Sequence, residues 1–324
     1  MTYSVGGLIQ ASDYNTFQGS LNNIWSTGSG DSGWGQTALP QVSQYGVVTA
    51  TNWASLVNTI KSAGGYTGTT LTSRTAPVTG NVIAILANVA TDITSCTTNR
   101  GNSVGTQSQQ STWTGSAAKT TSTGTGVIGW TITWTQTFTF ASAAQARYFW
   151  NAGGGVNLQM NKSSTGTDID PDWNTFIATV GTLCMVGRVN NANQTINGVV
   201  YTGFGRRFAG SGTPAPNLST TGWYTLTPGA AQTTLWQLNQ TTYPYTADYV
   251  RVTAAVNSGS TALTLITTWS QSTQSYSTVI SGGTDTPSGG PFGTAPAIIP
   301  SVTYPNTAYL ANTWGSVSVT STVS

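Results

Sequence analysis

Histidine and glutamate are both absent from this 324-residue chain, and its eight acidic residues are all aspartates. Without histidine the chain can build neither a Ser-His-Asp nor a Cys-His nucleophile pair, and it offers no imidazole to a metal. Without glutamate, glycoside hydrolysis would fall to two aspartates. Neighbouring carboxylates occur only at Asp168, Asp170 and Asp172. A phosphate-binding loop of the GxxxxGK[ST] kind is missing as well. The commonest general acid-base residue is therefore lacking, and the reading is of a protein that is not an enzyme and carries no cofactor or metal.

Charge of either sign is scarce. Charged residues make up 6% of the chain, against about a quarter in ordinary soluble proteins. The net charge is +2, and Arg206-Arg207 is the one basic pair. Two arginines make no electrostatic footprint for a phosphate backbone, so nucleic acid is not expected as a partner. Cys96 and Cys184 are the only cysteines; both stand in apolar stretches, where a free buried thiol is expected. No run approaches 18 apolar residues, so no membrane insertion is expected. The N-terminus has no basic stretch leading into an apolar one, and a signal peptide is not expected.

Apolar and aromatic residues, by contrast, are plentiful. Hydrophobic residues make up 38% of the sequence, with 12 Trp and 13 Tyr. Disorder goes with low hydrophobicity and high charge, so this chain should fold. Its surface must then be built from Gly, Ser, Thr, Asn and Gln. Such a surface suits β-structure, and it avoids the desolvation that buried charges impose at a protein contact.

The chain is organised around residues 130–158. Trp130, Ile132, Trp134, Gln136, Phe138 and Phe140 alternate with Thr131, Thr133, Thr135, Thr137 and Thr139, the period of a strand with one buried face. Ser142 then reads as an N-cap, and Ala143 to Trp150 as a short helix. Asn151 with Gly153, Gly154 and Gly155 ends it, and a strand through Val156 and Leu158 follows.

Before this hub, an internal repeat pairs Gly7–Phe17 with Gly46–Leu56. Each copy predicts an aromatic-led helix. Tyr14, Phe17, Leu21 and Ile24 form one stripe, and Trp53, Leu56, Val57 and Ile60 the other, with Ser12 and Thr51 as N-caps. The glycine-rich Thr27–Gln36 between them reads as a turn pinned by Trp34. Asn81 to Cys96 predicts a third helix. Residues 100–126 are nearly all Gly, Ser, Thr, Gln and Asn, a linker or an arm lying on a neighbour.

After the hub, Asp170, Pro171 and Asp172 suit a helix start, with Trp173, Phe176, Ile177 and Val180 as its buried stripe. Alternating aspartates could offer oxygens to calcium, but the glycine and closing glutamate of an EF-hand are missing. From Leu183 the chain reads as β: strands at 183–189, 198–204, 222–227, 232–238, 248–257, 261–270 and 275–280, a hairpin at Asn257-Ser258-Gly259-Ser260, a Gly/Pro-rich loop at 281–291 and a last strand at 317–323. The expected fold is α+β. A small helical region over 1–99 and a linker or arm over 100–126 precede a mainly antiparallel, sandwich-like domain over 127–324 with one or two short helices.

Three blocks carry a family resemblance: Phe140–Gly154, Gly6–Asn15 with Gly28–Gln36, and Tyr309–Gly315. Together they resemble structural proteins of tailed bacteriophages, cyanophages in particular. That resemblance implies a virion component without catalytic residues, made in the host cytoplasm. The expected part is tail-associated, as a baseplate, collar or fibre component that contacts copies of itself and other virion proteins. A capsid decoration protein and a host-glycan-binding module are the alternatives. For glycan or partner contact the aromatic candidates are Trp223, Tyr224, Tyr243, Tyr245 and Tyr249, because a flat ring among polar neighbours suits a sugar face.

Overall fold

The computed structural model describes residues 11–30, 32–79, 88–102, 109–110, 117–118, 128–162, 169–186, 194–196, 199–201, 226–241, 246–274, 278–280, 283–285 and 296–324. Its helices are α1 (Ala11–Trp25), α2 (Ala50–Thr67), α3 (Val89–Thr98), α4 (Ala143–Asn151) and α5 (Ile169–Val180). The first strands are β1 (Gln109–Gln110), β2 (Ala117–Ala118), β3 (Ile128–Thr139), β4 (Gly155–Asn161), β5 (Thr182–Val186), β6 (Gln194–Ile196) and β7 (Val199–Tyr201). The chain continues through β8 (Thr233–Asn239), β9 (Tyr249–Val256), β10 (Ala262–Gln274), β11 (Thr278–Ile280), β12 (Gly283–Asp285), β13 (Ala297–Tyr304) and β14 (Ser318–Val323). The fold is α+β.

Two antiparallel five-stranded sheets carry it. One runs β1-β13-β4-β5, with β2 also on β13; the other runs β14-β3-β10-β9-β8. Helices and sheets share a single apolar core. The helical stripes bury as their spacing requires: Tyr14, Phe17, Leu21 and Ile24 on α1, and Trp53, Leu56, Val57 and Ile60 on α2. Tyr14 meets Trp53 edge-on at 5.6 Å between ring centroids, a geometry aromatic quadrupoles favour. A second aromatic column ties α5 to β3 and β10. Trp173 lies 4.6 Å from Trp130 and stacks on Trp269 at 6.0 Å, and Trp269 reaches Trp134 at 4.8 Å.

The helix starts differ from expectation. Thr49, not Thr51, caps α2, in a reciprocal box with Asn52. Ser12 lies inside α1. Asn88 takes a left-handed φ of 62° and opens α3, so no helix runs unbroken from 81 to Cys96. Asp170 and Pro171 both fall inside α5, which begins at Ile169. Cys96 is a free, buried thiol, and burial beside the Asp92 carboxylate pushes its pKa up to about 11; the Cys184 side chain is outside the described residues.

Among the strands, β13 is unforeseen because Pro300 stands at its centre, and proline removes a ladder donor. On the side away from β4, β2 pairs with 297–298 and β1 with 303–304, and Pro300 lies between them. Those bridges also place 109–110 and 117–118 of the expected arm on this chain's own sheet. Strand β12 occupies part of the expected 281–291 loop. Leu226 and Thr227, the described end of the strand predicted at 222–227, are not in a strand. The Asn257 hairpin forms as predicted, with the Asn257 carboxamide accepting from the backbone N–H of Thr261 and Ala262 at 2.8 and 2.9 Å.

The hub holds the helical region to the sheets. Ser142 caps α4 by accepting from the Gln145 N–H at 3.1 Å. From α4, the Arg147 guanidinium donates to the Ser32 and Thr27 carbonyls at 2.8 and 2.5 Å. Asn151 Nδ2 donates to the carbonyls of Gly30, Ser32 and Gly33 at 3.2, 3.1 and 3.1 Å. This clamp turns Trp34 inward against Trp25 and Tyr66, at 6.3 and 5.1 Å. Gly35, at φ 72°, lies so close to the Tyr148 ring that no side chain fits there. Gln36 then bonds the Ala311 backbone in both directions, at 2.8 and 3.0 Å, and the Thr313 hydroxyl donates to the Trp34 carbonyl at 2.7 Å. The glycine-rich turn, α4 and residues 311–313 thus meet in one joint. Replacing Asn151 by Ala strips the Gly30 and Gly33 carbonyls of this donor and leaves Ser32 to Arg147 alone. Unfolding in guanidinium is expected to show a loss of about 1–3 kcal/mol; an unchanged midpoint would mean that the clamp contributes nothing.

Candidate functional site

The sheet β14-β3-β10-β9-β8 buries one face and presents the other. Threonine dominates the outer face, and its rows follow from the register. Thr322, Thr135, Ile266, Thr253 and Thr234 line up across the strands, and beside them Thr320, Thr137, Thr264 and Ala255. Hydroxyls meet across strands at Thr137–Thr264 and Thr131–Ser270, both at 3.4 Å. Among the residues that these registers place on this face, Arg251 carries the one charge, and its guanidinium sits over the Tyr249 ring, 5.1 Å from the centroid, a contact that a cation and an aromatic face favour.

The sheet's two edges differ. At one, β8 changes register between Thr234 and Trp236, a bulge that bends the strand. At the other, β14 runs without interruption from Ser318 opposite Thr139 to Val323 opposite Trp134. Ser324 and Thr133 exchange both backbone bonds, at 2.9 and 3.0 Å. Antiparallel pairing alternates, so the N–H and C=O of Ser318, Thr320 and Thr322 also face β3. Those of Val319, Ser321 and Val323 point the other way. Among the described residues β14 pairs with β3 alone; β2 comes near it but ladders onto β13. The side chains of Val317, Val319 and Val323 lie half-buried along this margin against the core, and Ser318, Thr320 and Thr322 are exposed. Folded chains usually blunt such an edge with lysine, proline or a bulge. Residues 318–323 contain no charge and no proline.

Of the aromatic candidates, Trp223, Tyr224, Tyr243 and Tyr245 lie outside the described residues. Tyr249 opens β9 on the outer face, half-buried, with Arg251 against its ring. The structure brings it beside Ser270 and Asn239. No helix among the described residues is long and apolar enough to cross a membrane. No family model matches this chain, and no curated protein or solved structure matches it either.

Just before Tyr249 stands a residue that pattern reading missed. The Asp248 carboxyl is fully buried. Its Oδ1 accepts from the Ser272 N–H and hydroxyl at 2.8 and 2.9 Å, and its own carbonyl accepts from the Gln240 N–H at 2.9 Å. Next to Ser272, Gln271 accepts from the Trp173 indole at 2.6 Å. One end of the sheet is thereby laced to α5. Desolvation raises the Asp248 pKa, against the lowering effect of the Ser272 bonds. A carboxyl whose folded pKa is raised contributes stability below its ordinary value of 3.8. That contribution is lost as pH climbs through the raised value. Asp248→Asn removes this titration and keeps the Oδ1 acceptor. Its melting temperature relative to the parent should therefore be higher at neutral pH than in acid; a difference independent of pH would contradict the assignment.

Proposed function

We propose that this chain is a non-enzymatic structural protein of a tailed-phage virion, a tail-associated component that assembles with copies of itself through the β14 edge. An edge that is uncharged and, among the described residues, has no partner beyond β3 is the observation that carries the reading. A second copy lying antiparallel along β14 would satisfy the outward N–H and C=O groups of Val319, Ser321 and Val323 reciprocally. The contact is two-fold and self-complementary, so it closes on itself. It would also cover the half-buried valines of this margin without desolvating any charge. The bulge in β8 disfavours the same pairing at the opposite edge.

Two further features support the reading. The segments that resemble phage structural proteins are distant in sequence, yet 28–36, α4 and 311–313 meet in the joint described above. In the connection from α1 to α2, Tyr45 is 93% exposed at a φ of 65° and Val47 is 82% exposed. They give the helical region an apolar tip suited to anchoring on another virion protein.

Mass spectrometry of purified particles and of tail-less heads tests the placement. Peptides of this chain in whole particles but not in heads are expected; peptides in heads would make it a decoration protein, and absence from particles would end the proposal. Light scattering on the recombinant chain tests the contact. Proline at Ser321 removes a donor that points away from β3, and lysine at Thr320 adds a charge on an exposed position. Both variants should remain folded and become monomeric where the parent associates. Association undiminished in both would place the contact elsewhere.

A further inference from the structure

Between α5 and the end of β8 lies a cavity of about 220 Å³, lined by Asp172, Thr175, Phe176 and Thr179 from the helix and Leu238, Asn239, Gln240 and Thr241 from the strand end. At roughly 30 Å³ per water it holds about seven water volumes, and it falls below the ~300–1,000 Å³ of drug-sized pockets. An occupant would be the size of one small ring. We infer that this cavity is a binding site for a neutral polyhydroxylated ligand the size of a monosaccharide. The inference is independent of the assembly contact, which lies at the other edge of the same sheet.

The lining decides the class. Among the described lining residues there is no cation, so a phosphate or a carboxylate would find no countercharge in them. Asp172 supplies the single carboxylate, whereas calcium takes six to eight oxygens, usually with several carboxylates among them. What the walls do supply is a mixture of donors and acceptors: the hydroxyls of Thr175, Thr179 and Thr241, and the carboxamide of Asn239. Hydroxyls of a sugar both donate and accept, and this mixture matches them. A carboxylate such as Asp172 accepts from two adjacent hydroxyls at once, and Phe176 and Leu238 give the C–H face of a ring an apolar wall.

Gln240 fixes the strand-end wall. The residue is 7% exposed and its backbone N–H is held by the Asp248 carbonyl. The Asp248–Ser272 lacing behind it holds this wall of the cavity in place before a ligand arrives.

Saturation-transfer NMR on the full chain, with glucose, galactose, mannose and N-acetylglucosamine as probes and glycerol as the control, tests the assignment. At least one of these sugars is expected to bind and glycerol is not. Thr179 is an exposed helix position on the cavity wall. Thr179→Phe should therefore leave the circular dichroism unchanged, fill the space and weaken the bound sugar by about tenfold or more. Asp172→Asn should weaken it without blocking the space. Binding by none of the probes, or binding unaffected by both substitutions, would overturn the proposal. So would calcium, added alone, shifting the resonances of the lining residues where the sugars do not.

Discussion

Scarcity of charge is the constraint on which this structure depends. With 6% charged residues, the chain must position its irregular segments with amides and hydroxyls rather than ion pairs. Carboxamides do this repeatedly. Asn15 bonds the Val42 backbone in both directions at 2.8 and 2.9 Å, Asn22 does the same for Leu39 at 3.0 Å, and Gln36 for Ala311. A carboxamide offers a donor and an acceptor on one planar group, so each of these side chains mimics a strand partner for a stretch that has none. One ion pair is used inside. Arg74 meets Asp92 at 2.6 Å with both side chains 6% exposed, and Asp92 also accepts from the Thr72 N–H at 3.2 Å.

The same constraint shapes the surface. A sheet whose outer face is mostly threonine, with Arg251 its one charge among the described residues, has little to repel another sheet, and its unbulged margin has none of the charges that normally keep edges apart. For a protein that must stay solitary this would be a liability. For a component of a large particle it is the cheapest route to a specific contact, because backbone groups supply the bonds and the half-buried valines supply the apolar area.

Much of the fold was legible in the sequence because its signals are local and strong. The threonine-aromatic alternation of 130–140 could be nothing but a half-buried strand, and the stripes of α1, α2 and α5 buried the residues that their spacing named. Boundaries were less legible. Thr49 rather than Thr51 caps α2 because its partner Asn52 sits three residues on, and an Asn serves there where a Glu or Gln is the usual signal. Pro300 hid β13, since a proline inside an apolar run argues against a strand that has neighbours on both sides. The candidate sites were the least legible. An open edge is a property of topology, not of the residues Ser318–Val323 themselves, and Asp248 and Gln240 became notable only once burial and bonding were known. Of the aromatics read as sugar contacts, Tyr249 turned out to share its ring with Arg251, two residues along the same face.

Hydrogen exchange at β14, followed as the protein is concentrated, tests the account at its centre. Pairing with a second copy predicts that the amides of Val319, Ser321 and Val323 exchange freely in dilute solution and become protected as copies associate. Those of Thr320 and Thr322, already bonded to β3, should change little, and the bulged β8 should not respond. Association that leaves the outward amides of β14 unprotected would contradict the claim that this edge is where the protein assembles.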